Sequence, residues 1–377
     1  MKKRLFALCL CLSLSLTGCA AMLERDYLSV TPHARLPAAA DDSTTVWVET
    51  YPELVDAIFS LVSEHRESGV IRLRNWKGNV RQNLSDACDE VSHDDPLGAY
   101  AVDRIKPEFV RIATYYEATV SIDYRRTAEQ VASVNTVAGS GAIRGELRDA
   151  LTSFVPETAF RVNYFDQAQG DDYIPRLIRQ AYYDSPAAAL GLPEAVVNLY
   201  PESGQQRVVE VLFTYPEEPE LLREKSQALT SAAQVLVDPY RTGLRDSALI
   251  PVLYRALREH TGLGEAQDAP LPAPSVSGST AYAALVEDQA DSEGLALAYK
   301  LLCDLAGVEC TVVDGTLEGA PRFWTIVTVE QNVHRHVDPS RAEGLLLTDT
   351  QMSESGFVWD TQEYPSCGES LSETSTT

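Results

Sequence analysis

From residue 45 to about residue 222, apolar and polar positions recur in one order twice over. A helical period comes first. Glu53-Leu-Val-Asp-Ala-Ile58 has a counterpart in Glu146-Leu-Arg-Asp-Ala-Leu151, with apolar residues spaced to line one helix face. An alternating, β-rich run follows each: VIRLRNW from Val70 and AFRVNYF from Ala159. Alternation with period two marks a strand with one buried face. A polar helix comes next, NVRQNLSDACDEV from Asn79 and DDYIPRLIRQAYY from Asp171, and a proline turn stops it, DDP at 94–96 and DSP at 184–186. Two more strands complete each copy, FVRIATYY with ATVSIDYRR and AVVNLYP with QRVVEVLFTYP, at an offset of about 89 residues. The pattern predicts two helix–strand–helix–strand–strand modules, 45–140 and 141–222, each α+β with a small antiparallel sheet. GSG at 139–141 follows no clear strand and lacks a lysine, so it predicts a hinge between the copies rather than a phosphate loop.

After residue 223 the period becomes helical through LREKSQALTSAAQVL and DSALIPVLYRALREH. QDAPLPAPSVSGST then breaks it as a loop. Order resumes at TAYAALVEDQADSEGLALAYKLLCDLAGVECTVVDG. His65 and His93 fall near helix ends, where a cation suits the C-terminal dipole. Tyr115, Tyr116 and Tyr124 are ordinary strand formers.

The N-terminus changes the picture. Lys2, Lys3 and Arg4 precede an apolar run from Leu5 to Leu16, too short to span a bilayer. Leu-Thr-Gly-Cys then ends at Cys19 and resembles a bacterial lipobox. That resemblance implies a signal peptide over 1–18, a diacylglyceryl thioether on Cys19 with further acylation such as palmitate, and anchorage to the cell membrane. Residues 19–44, which include LPAAADDSTT, read as a flexible tether, and 368–377 as a frayed tail.

The chain has 377 residues, 45% of them hydrophobic, enough for two or three domains. Its formal charge of −24 becomes −27 once Lys2, Lys3 and Arg4 leave with the signal. That excludes nucleic acid and charge-driven binding to anionic lipid. Cys19, Cys88, Cys303, Cys310 and Cys367 remain after the signal. No CxxC or Cys/His spacing suggests a metal, and no cofactor motif is present. An exported setting permits a disulfide, for which Cys310 with Cys367 is the favoured pair beside the alternative of buried free thiols.

A family resemblance covers about 280 to 367. Its residues are Thr280-Ala-Tyr-Ala-Ala-Leu285, Ser292-Glu-Gly-Leu-Ala296, Leu301-Leu-Cys-Asp-Leu-Ala-Gly-Val308, Arg322-Phe-Trp-Thr325 and Val337-Asp-Pro-Ser340. The ending from Asp349 through Trp359-Asp to Tyr364-Pro-Ser-Cys367 agrees as well. This stretch is similar to bacterial transglutaminase-like domains, of papain-like fold, and implies such a domain over 223–367. In that family a cysteine opens the core helix, where the dipole lowers its thiol pKa. A histidine on the next strand takes the proton, and an aspartate on the following strand orients the histidine.

Mapped onto this chain, the nucleophile position holds Ser292, the base position Arg322 and the third position Asp338. Serine needs a general base more than a thiol does, and a guanidinium has no acceptor lone pair. The resemblance therefore implies a pseudoenzyme with Arg322 and Asp338 in a salt bridge. Trp324, Glu293 and Gly294 would line a cleft for a peptide, a cell-wall stem peptide or a protein partner. Two other readings stand beside it: a Ser292-dependent amidase, acyl transferase or peptidase with His336 as base, and a purely structural head raised by two spacer modules. HRHVD at 334–338 places His334, His336 and Asp338 at alternate positions, but the other histidines form no paired motif, so a zinc site is not expected.

Overall fold

A computed structural model describes residues 45–165, 170–240, 246–264, 271–272 and 274–368. The signal peptide, Cys19 and tether expected over 1–44 lie outside the described residues, as does the expected tail beyond Gly368. Among the described residues no helix is long and apolar enough to cross a membrane.

The protein is α+β, with three four-stranded sheets among the described residues. It condenses into two compact units. Among the described residues, one comprises 45–61, Arg66–Cys88 and Lys106–Ser121, the other Val62–His65, Asp89–Ile105 and the described part of 122–368. The module boundaries expected at 140/141 and 222/223 both fall inside the second unit.

The first sheet is built from β1 (Thr45–Val48), β2 (Ser68–Arg74), β3 (Val102–Ile112) and β4 (Tyr115–Tyr124), in the order β1-β2-β4-β3. Helices α1 (Tyr51–Ser63), α2 (Val80–Asp89) and α3 (Pro96–Ala101) join its strands. The apolar period read from the sequence places Leu54, Ala57 and Ile58 of α1 in the interior, and Ile71 and Leu73 of β2 are also buried. Pro96 does more than stop a helix. Asp95 caps the amides of Leu97 and Gly98 at 2.8 and 2.9 Å, and Pro96 begins α3.

After the short helix α4 (Ala128–Ala132), the second sheet repeats the topology of the first. Strands β5 (Asn135–Val137), β6 (Glu157–Val162), β7 (Glu194–Tyr200) and β8 (Arg207–Thr214) lie in the order β5-β6-β8-β7. In both sheets the first pair is parallel, Thr45↔Val70 and Asn135↔Phe160, and the next is antiparallel. Each of these two sheets thus begins with a strand that the sequence pattern did not reveal. Glycine 139 does not make a hinge: GSG opens α5 (Gly139–Ser153), with α6 (Tyr173–Asp184) following β6.

The remainder contains α7 (Pro219–Val237), α8 (Asp246–His260), the short α9 (Ala281–Leu285) and the long α10 (Ser292–Ala306). A third sheet follows, of β9 (Cys310–Leu317), β10 (Ala320–Glu330), β11 (Val333–Val337) and β12 (Phe357–Trp359), with α11 (Asp349–Glu354) before β12. Its order is β11-β10-β9-β12, antiparallel throughout. The second module shares one hydrophobic core with this region, from Val137, Leu147 and Phe160 through Leu229 and Leu253 to Leu297, Val312, Val327 and Val337. The alternate residues Val313, Trp324 and Ile326 point to the other face and pack with Met352, Phe357 and Cys367 in a second cluster.

Candidate functional site

Ser292 lies on α10, Arg322 on β10 and Asp338 directly after β11, the places the resemblance assigns to a catalytic triad. Asp291 makes the helix start. Its Oδ1 accepts from the amides of Glu293 and Gly294 at 2.9 and 3.1 Å, and its Oδ2 accepts from Ser279 Oγ at 2.5 Å. Ser292 is therefore the first helical residue, as a nucleophile of this kind must be, but it is 92% shielded, with 8% of its surface exposed. Its Oγ accepts a hydrogen bond from the Phe323 amide at 3.2 Å.

The base position is closed. Arg322 Nη2 donates to Asp338 Oδ2 at 3.1 Å and also to Ser340 Oγ. The other Asp338 oxygen accepts from the Ser340 amide at 3.0 Å and from its hydroxyl. Asp338 is wholly buried, so its charge is matched by a guanidinium and two local donors. The residue that would orient an imidazole instead holds an arginine.

A cover comes from α6. Tyr183, on α6, donates to Glu293 Oε1 at 3.0 Å, and its ring lies 5.9 Å from that of Phe323. Burial pushes the Glu293 carboxyl up to about 7, with nearby Asp291 adding to the rise and hydrogen bonds from Tyr183 and Ser279 opposing it. Glu293 is the one expected cleft residue that keeps partial exposure. No sequence motif marks its partner Tyr183, which lies 110 positions away.

The other two expected cleft residues face inward. An added Cβ on Gly294 would sit 2.5 Å from the Gly278 carbonyl oxygen and 2.7 Å from that of Thr280, so this glycine serves the close approach of backbone. Trp324 is fully buried on the face away from the main core, its ring against Phe357, Trp359 and His336.

His336 belongs to that second face as well. Trp324 Nε1 donates to its Nδ1 at 2.9 Å. An indole N–H only donates, so Nδ1 is the acceptor and Nε2 carries the proton. Nε2–H donates to Asp349 Oδ1 at 2.8 Å. Burial holds the imidazole below its usual pKa, so it is neutral. Both nitrogens are committed, and His336 is not a base for Ser292. His334, expected on the same face, meets Thr328 Oγ1 at 3.2 Å.

His336, Asp349 and Cys367 bring potential ligand atoms within 4.8 Å of one another. A metal at Nε2 would need that proton removed while Trp324 holds Nδ1 as an acceptor, an imidazolate. Burial also pushes the Cys367 thiol up to about 12. The cluster is better described as a clasp: Asp349 Oδ2 accepts from the Cys367 amide at 2.9 Å and Ser366 Oγ at 3.0 Å, tying the C-terminal segment to β11.

The expected Cys310–Cys367 disulfide is not formed. Cys310 lies in the main core, whereas Cys367 lies in the cluster on the other sheet face.

No protein-family model matches the chain, and no curated protein does. Among solved structures, one described as a TGase aligns with 12% identity and a TM-score of 0.25, over 59% of this chain and 64% of that one. A second, a candidate protease from Parabacteroides distasonis, aligns with 10% identity and a TM-score of 0.20, over 71% of this chain and 39% of that one. The chain thus spans under two thirds of the length of either, and the transglutaminase-like reading rests on its own residues.

Proposed function

We propose that the protein is a lipid-anchored, extracytoplasmic pseudoenzyme: two duplicated modules carry a transglutaminase-like head whose former catalytic positions hold the fold together. The observation that carries this reading is the Arg322–Asp338 ion pair beside a shielded Ser292. Acyl transfer to serine needs an acceptor for the hydroxyl proton, and the guanidinium at the base position has no lone pair to serve as one. With Tyr183 and Arg322 occupying the site, a peptide, cell-wall or protein partner would be met by surfaces outside the old cleft.

The test uses the full chain expressed in an exporting bacterium. A fluorophosphonate probe should leave Ser292 unlabelled, and palmitate label should enter the protein and vanish in Cys19→Ser. Fluorophosphonate adduct at Ser292 would refute the pseudoenzyme reading. Palmitate that persists in Cys19→Ser would refute the anchor.

A further inference from the structure

Cys303 and Cys310 are seven residues apart, yet the fold brings their side chains together. Cys303 sits in the last turn of α10 and Cys310 opens β9. Between them Gly307, at φ 78°, ends the helix, and the Val308 amide bonds back to the Cys303 carbonyl at 2.9 Å. Lys300 Nζ reaches across to the Cys310 carbonyl at 3.0 Å, fixing the first residue of the strand beside the helix. Cys303 is fully buried and Cys310 nearly so, both in the main core cluster, and burial followed by the neighbouring Cys310 sulfur raises the Cys303 thiol well above its ordinary pKa.

We propose that Cys303 and Cys310 form a disulfide that staples the end of the Ser292 helix to the start of the adjoining sheet. In the cell this rests on the export reading, because disulfides persist in oxidising compartments. The bond forms by exchange with a small disulfide before the core closes over the thiols. Two protein S–H bonds and one S–S bond of the oxidant break. One protein S–S bond and two oxidant S–H bonds form, and two electrons with two protons pass to the oxidant. In place, the bond fixes the helix against the sheet whose next strand carries Arg322.

The two cysteines share one tryptic peptide, Leu301–Arg322. The full chain, denatured and reduced, is refolded with reduced and oxidised glutathione, then unfolded, alkylated without reduction, digested and weighed. The expected peptide is unalkylated and lighter by two hydrogens than its dithiol form, while Cys88 and Cys367 take the alkyl group. In Cys303→Ser, Cys310 should become alkylated. A wild-type peptide alkylated at both positions overturns the proposal. Protein taken directly from the cell envelope separates the two readings: a bond in the refolded chain but not in the cellular one upholds the pairing and counts against export.

Discussion

Arg322 and an imidazole differ in the one property a general base needs, an open lone pair near neutral pH. In the sequence, Arg322 is singled out by the Phe323-Trp324 landmark, and no histidine precedes it nearby. The surroundings of Trp324 and Glu293 were not legible. Whether a tryptophan beside a motif lines a cleft or a core depends on which sheet face it meets, and here Phe357, Trp359 and His336 enclose it. Glu293 carries a testable consequence. Its folded pKa lies above its ordinary value of 4.5, so folding favours the protonated form. That contribution is fully present below pH 4.5 and is lost as pH rises through about 7. Glu293→Gln keeps an acceptor for Tyr183 and removes the charge. It should leave stability unchanged at pH 4.5 and raise it by about 2 kcal/mol at pH 8, read by urea unfolding. An equal effect at both pH values would remove the buried-carboxyl explanation.

Among the elements, long periodic segments were the readable ones. The helices through Leu229 and Leu253 and the core helix from Ser292 follow directly from apolar spacing. Strands β1 and β5 were missed because four and three residues are too few to display alternation, and their place comes from parallel pairing with β2 and β6. The GSG segment misled because glycines suggest freedom, whereas here Gly139, at φ 81°, begins a helix. At α10 the same residue type has a packing purpose. Gly294→Ala gains helix propensity of up to about 1 kcal/mol but drives a methyl into two carbonyl oxygens on a backbone that cannot rotate away. The net effect expected in thermal or urea unfolding is a loss of about 2 kcal/mol, and a neutral or stabilising alanine would contradict the close approach.

At the scale of the molecule, the shared core of the second module and the C-terminal region explains why domain boundaries drawn from motif ends do not match the compact units. The first two sheets share one strand order. The merger of the second sheet's core with the C-terminal region was not visible in the sequence, since it depends on which apolar faces meet after folding. The central claim is that Arg322 and Asp338 act as a structural ion pair within this unit. A double-mutant cycle on the full chain, with Arg322→Met, Asp338→Asn and both together, measures it by urea unfolding. The buried geometry predicts that each single change costs about 3 kcal/mol and that the double costs less than their sum by about 2 kcal/mol. Additive costs would contradict the account, because Arg322 and Asp338 would then stabilise the head independently and the base position would not have been given over to their pairing.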